Sequence, residues 1–374
     1  MSKVARIAVA GAGWWGQGWH IPHISRHPQA ALAAIVESST SPRASNAAQQ
    51  LQTTAQLSER YQAPVFKSLD ELLSSPVASE LDGVLVGTPH AMHAQQAMMV
   101  MKHGLHVLVE KPMTTDVEEA RMLAEAAAVH VAAGKYFAIN NTANWRGECR
   151  LAAEAIAAGR IGKVQHVMAR MHSPLLWLFD DPANEGWIST SGNMLGNGFG
   201  WGQLSHMFVW ILAVTQLQPS RVFAHMSHSS RSGADLHDAA IVDCEGGGAI
   251  VISGSAGLPG DAHGSAPVGK QIDIVVFGTE GSLSFGGDDQ DPTSGVLEIR
   301  RHDGQPAHEV LAPPFQFENY EADGTGPESI QAFVQACRGE SAFVGAGAQV
   351  GLDAVRVIDA AYRSARSGQP ETCA

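Results

Sequence analysis

The first third of the chain alternates short apolar runs with segments of helical periodicity, which is typical of a parallel sheet joined by crossover helices. The predicted strands are Arg6–Ala10, Leu32–Val36, Asp82–Thr88, His106–Lys111 and Lys135–Ile139. Helices are predicted between them over Trp15–His27, Ser41–Tyr61, Ser68–Ser75, His90–His103 and Thr115–Gly134. We expect Ser41, Ser68 and Thr115 to cap three of these helices, because a hydroxyl oxygen can accept hydrogen bonds from first-turn N–H groups.

The pattern changes after about Asn144, where a helix over Glu148–Ala158 is followed by alternating strands and glycine-rich turns. The predicted strands are Val164–Met171, Arg221–Met226, Ala239–Cys244, Ala249–Ser253, Ile272–Phe277 and Val296–Arg300. Helical patterns over Glu328–Arg338 and Gln349–Ser364 close the chain. We therefore predict two domains, a doubly wound α/β domain over residues 1–142 and an α+β domain with a largely antiparallel sheet over residues 143–374.

Composition narrows the class of protein further. A chain of 374 residues with 45% hydrophobic residues, 16% charged residues and 39 glycines suits a compact enzyme and excludes a disordered chain. The net charge of −13 argues against nucleic-acid binding, so we expect a small-molecule partner. The cysteines stand singly and no apolar stretch approaches the ~20 residues of a membrane helix, so we expect a cytoplasmic protein that does not enter a membrane. No His-x-x-x-His pattern carries the carboxylate of a metalloenzyme motif, so we expect no metal.

The first chemical motif is Gly11-Ala-Gly-Trp-Trp-Gly16, which follows the first strand and opens a helix. Glycines in this pattern allow a tight turn, close approach of a pyrophosphate to the backbone and close packing of the helix. An acidic residue, Glu37, ends the second strand at the spacing that dinucleotide-binding folds use. The motif therefore predicts a dinucleotide site that includes Gly11, Gly13, Trp14, Trp15, Gly16 and Glu37.

Glu37 also indicates which dinucleotide is bound. A carboxylate at this position accepts hydrogen bonds from the ribose hydroxyls and repels a 2′-phosphate, so NAD is expected. Ser38, Ser39 and Arg43 nearby offer groups that could hold a phosphate, so use of NADP stays open.

The second motif comprises Gly87-Thr-Pro-His90 with His93, followed by Glu110-Lys-Pro112 after the next strand. Both segments lie at carboxyl ends of strands, where doubly wound sheets bind their ligands. A lysine just past a buried strand can act as an acid or base near neutral pH when desolvation lowers its pKa. We therefore add Thr88, Pro89, His90, His93, Glu110 and Lys111 to the predicted cofactor site.

These motifs together resemble the glucose–fructose oxidoreductase / inositol dehydrogenase family, Gfo/Idh/MocA. The resemblance rests on Gly11–Gly16, Thr88–His93 and Gly104–Pro112, and it continues through Asn144–Arg146, Gly159–Gly162, Gly278–Gly281 and Ala360–Ser364. It implies an N-terminal Rossmann domain and a C-terminal domain whose large, open, mostly antiparallel sheet forms homodimers or homotetramers. It also implies hydride transfer between a nicotinamide and a secondary alcohol or ketone of a sugar, cyclitol or related ring compound.

The resemblance assigns catalytic roles as well. Lys111 matches the family lysine that contacts the nicotinamide side and the substrate oxygen, and His206 matches a family histidine. The family aspartate four residues before that histidine is replaced by Gly202 in this chain. Gln203 is interpreted as a neutral hydrogen-bonding substitute for it.

Candidate substrate contacts are drawn from the same comparison and from loop composition. Asparagine, arginine, histidine and tryptophan side chains in or near the second domain suit a polyol substrate, namely Asn140, Arg146, His172, Trp177 and Asn197. Three other functions remain open: a dihydrodiol dehydrogenase of aromatic catabolism, an enzyme that recycles tightly bound NAD during glycoside cleavage, and a non-catalytic nucleotide-binding regulator.

Overall fold

The computed structural model describes residues 3–42, 50–260, 268–291, 293–303, 306–315 and 326–373. By internal contacts the chain divides into two units. The first unit comprises Met1–Trp145 with Tyr320–Leu352, and the second comprises Arg146–Asn319 with Asp353–Ala374. A segment from the end of the chain thus belongs to the first unit, while the domain boundary after residue 142 stays a prediction.

The first unit contains a parallel sheet of six strands in the order β3-β2-β1-β4-β5-β6. The strands are β1 (Ala5–Ala10), β2 (Ala30–Val36), β3 (Val65–Phe66), β4 (Gly83–Val86), β5 (His106–Val109) and β6 (Phe137–Ile139). Helices cover both faces of such a sheet, so its central strands are apolar throughout, and every residue of β4 is buried. The order reverses at β1, which places the ligand-binding edge at the carboxyl ends of β1 and β4. The predicted doubly wound α/β fold is confirmed.

The helices that begin in the first unit are α1 (Ile21–Arg26), α2 (Thr54–Tyr61), α3 (Leu69–Leu73), α4 (His93–Lys102), α5 (Val117–Ala132), α10 (Glu328–Cys337) and α11 (Ala348–Ser367). Short 3₁₀ turns occupy Pro76–Glu80, His90–Met92 and Thr142–Trp145. Helix α10, from late in the chain, packs against β1 and β5. The last helix, α11, continues into the second unit.

Two predicted caps are wrong. Helix α2 begins at Thr54, because the Thr53 hydroxyl accepts the N–H of Gln56 and the Gln56 side chain accepts the N–H of Thr53. Ser41 is therefore not its cap, and residues 43–49 of the predicted helix lie outside the described residues. Helix α5 is capped by the Asp116 carboxylate and not by Thr115. The cap that Ser68 provides for α3 is confirmed.

The second unit contains nine strands in the order β14-β13-β12-β11-β7-β10-β9-β8-β15. They are β7 (Val164–His172), β8 (Pro219–His228), β9 (Asp235–Cys244), β10 (Ala249–Ser255), β11 (Gln271–Gly278), β12 (Gly281–Asp288), β13 (Gly295–Arg301), β14 (His308–Phe315) and β15 (Glu371–Thr372). All neighbours pair antiparallel except β7 with β10. The predicted mostly antiparallel sheet is confirmed, although β12, β14 and β15 were not predicted.

Helices in this unit are α6 (Gly147–Ala157), α7 (Leu176–Phe179), α8 (Glu185–Ile188) and α9 (Ser205–Thr215), with a 3₁₀ turn over Glu245–Gly247. Helix α9 packs against β7 and α6, and nearly all of its residues are buried. The sheet therefore has one face against helices. Its other face carries the alternate, more exposed residues of each strand.

Two π-helical turns precede helices of the structure. One spans Gly16–His20 before α1, and the other spans Gly200–Leu204 before α9. Turns of this kind are rare and occur often at functional sites. Here they lie in the predicted dinucleotide motif and in the segment that carries Gln203.

Candidate cofactor and active site

The glycines of the loop after β1 have distinct structural roles. Gly11 has φ of +100°, a conformation that favours glycine, and a Cβ there would overlap the Gly87 carbonyl. A Cβ on Gly16 would overlap the carbonyl of Gly11. A Cβ on Gly13, in contrast, would meet no described heavy atom within 4 Å. The loop thus leaves open space beside Gly13 at the start of a helix, which fits a pyrophosphate approaching the backbone.

Glu37 is tied to this loop. Its Oε2 accepts the backbone N–H of Ala12 at 2.9 Å, and its Oε1 accepts that of Ser39 at 2.9 Å. Each carboxylate oxygen keeps a further lone-pair direction for a ribose hydroxyl. The side chain therefore shapes the loop through both of its carboxylate oxygens.

Gln17 also stabilises the glycine loop, by hydrogen bonds that the sequence did not indicate. Its Nε2 donates to the carbonyls of Ala12 (2.9 Å) and Gln52 (3.0 Å), and its Oε1 accepts the N–H of Gln52. A glutamine inside a helix has no sequence signature for such a role. The tryptophans nearby form a stack, with the rings of Trp15 and Trp19 centred 5.4 Å apart.

The turn after β4 is fixed by side chains of α4. The Thr88 hydroxyl donates to Gln96 Oε1 at 2.9 Å. The buried ring of His93 lies 2.8 Å from the carbonyl of Thr88 through Nε2 and 2.8 Å from that of Pro112 through Nδ1. Burial lowers the pKa of His93, although the two carbonyls oppose that shift. His93 thus joins the segment of Thr88 to the segment of Lys111, with His90 and Pro89 in the same turn.

Glu110 is the centre of a buried polar network. Its Oε1 accepts Asn140 Nδ2 at 2.6 Å and lies 3.0 Å from His20 Nε2, while Oε2 accepts the backbone N–H of Lys111 at 3.0 Å. Asn140 Oδ1 in turn accepts the hydroxyl of Ser329 at 2.6 Å. Burial alone would raise the pKa of Glu110, but His20, Lys111 and Asn140 together hold it below its ordinary value.

This network changes how two residues are understood. Asn140 was predicted as a substrate contact, yet its amide is engaged by Glu110 and Ser329. His20 is fully buried beside Glu110. Its position in the sequence, four residues after Gly16, did not indicate this contact. Lys111 follows β5 at the same carboxyl edge as the turns after β1 and β4, and its side chain is partly exposed. The structure therefore brings Lys111 and the glycine loop to one edge of the sheet.

In the second unit, Gln203 and His206 are the two partly exposed residues of the segment 201–212. Gln203 lies in the π-helical turn Gly200–Leu204, and His206 lies in the first turn of α9. A Cβ on Gly202 would lie 2.7 Å from the Phe179 ring and 3.6 Å from that of Trp187. The space that the family aspartate would need is thus filled by an aromatic side chain.

A carboxyl pair supports the same π-helical turn. Asp235 accepts the N–H of Gly200 at 2.7 Å and the hydroxyl of Tyr362 at 2.6 Å. Asp238, only 3% exposed, has no hydrogen-bond partner among the described residues. Burial and the nearby charge of Asp235 raise the pKa of Asp238 well above its ordinary value. The sequence had given no sign of this pair.

The other predicted substrate residues lie in the second unit. Arg146 is buried at the start of α6, and His172 ends β7. Trp177 lies in α7, where its carbonyl accepts Asn184 Nδ2. Asn197 is buried and donates to the Ser189 carbonyl at 2.8 Å. Asn197 therefore holds the loop 189–197 together through its amide.

A doubly wound sheet with a glycine loop and an acidic residue at its carboxyl edge defines a dinucleotide-binding protein. Comparison with known families identifies which one. Residues 5–133 match the family described as "Oxidoreductase family, NAD-binding Rossmann fold" (GFO_IDH_MocA), and residues 149–284 match the "GFO/IDH/MocA C-terminal domain". The chain belongs to the Gfo/Idh/MocA family of oxidoreductases, and its first domain is an NAD-binding Rossmann domain.

Individual relatives agree with this assignment. The chain is 31% identical over 155 residues, 41% of its length, to 1-carboxy-3-chloro-3,4-dihydroxycyclo hexa-1,5-diene dehydrogenase of Comamonas testosteroni, of which the match covers only 36%. It is 26% identical over 333 residues to an uncharacterised oxidoreductase of Synechocystis, covering 85% of this chain and 82% of that one. The solved structure of GenD2 from gentamicin A biosynthesis, in complex with NAD, has a TM-score of 0.72 at 23% identity, covering 100% of this chain and 97% of that one. This last likeness shows the shared fold.

None of the described helices is both long and apolar enough to cross a membrane. Within the same described ranges, no group of three or more histidine, cysteine, aspartate or glutamate side chains could hold a metal ion.

Proposed function

We propose that the protein is an NAD(P)-dependent dehydrogenase acting on a secondary alcohol or ketone of a sugar, cyclitol or related ring compound. The observation that supports this most is the edge of the parallel sheet, where the open space at Gly13 and the Lys111 segment meet. Bound NAD supplies the hydride acceptor. The unpaired cysteines favour action in the reducing cytoplasm.

Lys111 carries the central role in this proposal. Its ammonium group would donate a hydrogen bond to the substrate oxygen, and the neutral amine would accept the hydroxyl proton as the alcohol is oxidised. His206 and Gln203, both partly exposed, are the residues of the second unit that we propose for substrate contact. Since Gly202 supplies no carboxylate, Lys111 would be the main proton acceptor.

A lysine substitution tests the assignment. Inositols, free sugars, glucuronides and cis-diols would be screened with NAD for NADH absorbance, and Lys111→Met would be assayed on the substrate found. Loss of the general base is expected to lower kcat about 10²–10⁴-fold. Lys102→Met, an exposed lysine at the end of α4, is the matched control and should retain full activity. A Lys111→Met enzyme as fast as wild type would refute the role.

A dihydrodiol of an aromatic compound is a second candidate substrate. The relative from Comamonas testosteroni is named as the dehydrogenase of a chlorinated dihydroxycyclohexadiene carboxylate, although it matches only part of the chain. Competition between a cis-dihydrodiol and an inositol in one assay would separate the two classes by kcat/KM. A non-catalytic regulator would bind NAD and oxidise neither.

We also propose that the exposed face of the nine-stranded sheet forms a homodimer or homotetramer interface. Five apolar side chains occupy one row across five adjacent strands because each pairs in register with the next: Phe223, Ile241, Val251, Met168 and Val275. Phe223, Ile241 and Met168 are 47%, 49% and 52% exposed. Contiguous exposed apolar surface commonly marks an interface.

The interface proposal predicts a concentration-dependent assembly. Ile241→Asp should convert the oligomer to monomer in sedimentation velocity runs, because it places a charge within the row. Val129→Asp, which places the same charge on an exposed apolar position of α5 in the first unit, is the control. A monomeric wild-type protein at micromolar concentration would exclude the proposal.

A further inference from the structure

A buried chain of polar side chains ends at the backbone of Lys111. Ser329 donates to Asn140, Asn140 donates to Glu110, and Glu110 accepts the N–H of Lys111. His20 lies 3.0 Å from the same Glu110 oxygen that Asn140 reaches. These residues come from the α1 segment, the ends of β5 and β6, and α10, so four distant parts of the sequence converge on one peptide group.

A second contact holds the other side of the lysine. The His93 ring lies 2.8 Å from the Pro112 carbonyl and 2.8 Å from that of Thr88. Buried side chains therefore fix the peptide before Lys111 through the Lys111 N–H and the peptide after Pro112 through the Pro112 carbonyl. The same histidine links this segment to the turn after β4.

A buried network of this kind is costly to build. Removing one partner from a buried charge leaves the charge unsatisfied, so such networks persist where every member is paired. An apolar core would cover the end of β5 at lower cost. What the network adds is a fixed backbone and a carboxylate charge next to Lys111.

We propose that His20, His93, Asn140 and Ser329 are positioning residues, which act through Glu110 and Pro112 to fix the place and the charge environment of Lys111. This inference rests on the proposed role of Lys111 in hydride transfer. The titratable or charged groups that face Glu110 are His20, His93 and Lys111. Loss of a partner weakens the charged form of Glu110, and a protonated Glu110 no longer favours the ammonium form of Lys111.

The test compares His20→Phe, Asn140→Leu and Ser329→Ala with a matched control. His130→Phe also removes a buried histidine of the first unit, whose Nε2 lies 3.0 Å from the Leu105 carbonyl and which is distant from Glu110 in the sequence. His20→Gln, which keeps a hydrogen-bonding side chain, is the conservative variant. Thermal unfolding is measured first, to show that each variant folds. Ser329→Ala removes only one hydroxyl group, so the network can still be tested with this variant if one of the larger substitutions prevents folding.

Two readouts are measured. The first readout is steady-state kinetics together with the affinity for NAD. In His20→Phe, kcat should fall about 10²-fold, the loss expected when a reacting group is misplaced, while the affinity for NAD stays unchanged. His20→Gln should recover most of this loss. The second is acylation of Lys111 followed by peptide mapping across pH. The midpoint of the pH dependence of Lys111 acylation should shift to lower pH in His20→Phe and Asn140→Leu. It should remain at the wild-type value in His130→Phe.

The labelling result needs no substrate, so it separates the two proposals. If wild type oxidises none of the compounds screened, the proposed function fails while the labelling profile still decides the positioning role. Unchanged labelling midpoints in His20→Phe, Asn140→Leu and Ser329→Ala would overturn the inference. So would an equal loss of kcat in His130→Phe, which would indicate general destabilisation.

Discussion

The open space at Gly13 leads to a prediction that separates cofactor binding from folding. Gly13→Ala adds one methyl group in a position where no described atom lies within 4 Å, and the residue does not have a positive φ. The folded protein should therefore accept it, with a change in unfolding free energy below about 0.5 kcal/mol. The methyl would occupy the space through which a pyrophosphate reaches the backbone.

The expected loss of affinity follows from the contact that is displaced. A hydrogen bond between a backbone N–H and a charged phosphate contributes roughly 1.5–3 kcal/mol. Losing one such bond weakens NAD binding by about 10- to 100-fold, since 1.4 kcal/mol corresponds to a factor of ten. Gly16→Ala provides the contrast, because its Cβ would overlap the Gly11 carbonyl and both folding and binding should suffer.

Titration calorimetry with NAD and chemical denaturation measure the two quantities independently. Gly18→Ala is the matched control, since Gly18 is an exposed helical glycine whose Cβ would also meet no described atom within 4 Å. It should bind NAD normally and gain up to about 1 kcal/mol of stability. If Gly13→Ala binds NAD as tightly as wild type does, the pyrophosphate does not lie against this glycine and the loop assignment fails.

Three further predictions concern single side chains. Glu37→Gln keeps an acceptor for the Ala12 N–H and removes the charge, so the ratio of NADP to NAD affinity should rise, as measured by calorimetry. Asp238 has a raised pKa in the folded protein, so its burial destabilises the fold increasingly as pH rises above about 3.9, the pKa of an aspartate in the unfolded chain. Asp238→Asn should therefore raise the free energy of unfolding by about 1–3 kcal/mol at pH 7.5, as measured by urea denaturation. Burial and Lys135 lower the pKa of His106 to about 4. The contribution of neutral His106 to the free energy of unfolding is therefore fully present above about pH 6.5, and it is lost as the pH falls towards 4. After allowance for the partial exposure of His106, the free energy of unfolding should fall by roughly 1–2 kcal/mol less in His106→Asn than in wild type over this pH range.

Much of the first unit could be predicted because its signals are local. The apolar strand runs, the glycine loop and the position of Glu37 each depend on residues within one βαβ unit. Helix caps were less secure, because Thr115 and Asp116 are both good caps and only the chain path selects Asp116. The exposed strand β14 was not predicted since its sequence, His308–Phe315, contains two prolines and little alternation.

Contacts between distant segments could not be predicted. Ser329 is separated from Asn140 by 189 residues, and no local pattern connects a serine at the start of a helix to an asparagine after a strand. His20 resembles any histidine on a helix until the π-helical turn directs it towards Glu110. The sequence therefore identifies the lysine, while only the fold identifies what holds it.

The missing family aspartate also has a physical explanation in the fold. At Gly202 the position of a Cβ is already taken by the ring of Phe179, so an aspartate would have to displace a fully buried aromatic side chain. The carboxylates of this region lie instead at Asp235 and Asp238, and Asp235 holds the π-helical turn by accepting the N–H of Gly200. Position 202, next to Gln203 and four residues before His206, thus carries no carboxylate. Under the proposed function, proton transfer depends mainly on Lys111, and the buried network that reaches its N–H through Glu110 would then set the position of that side chain.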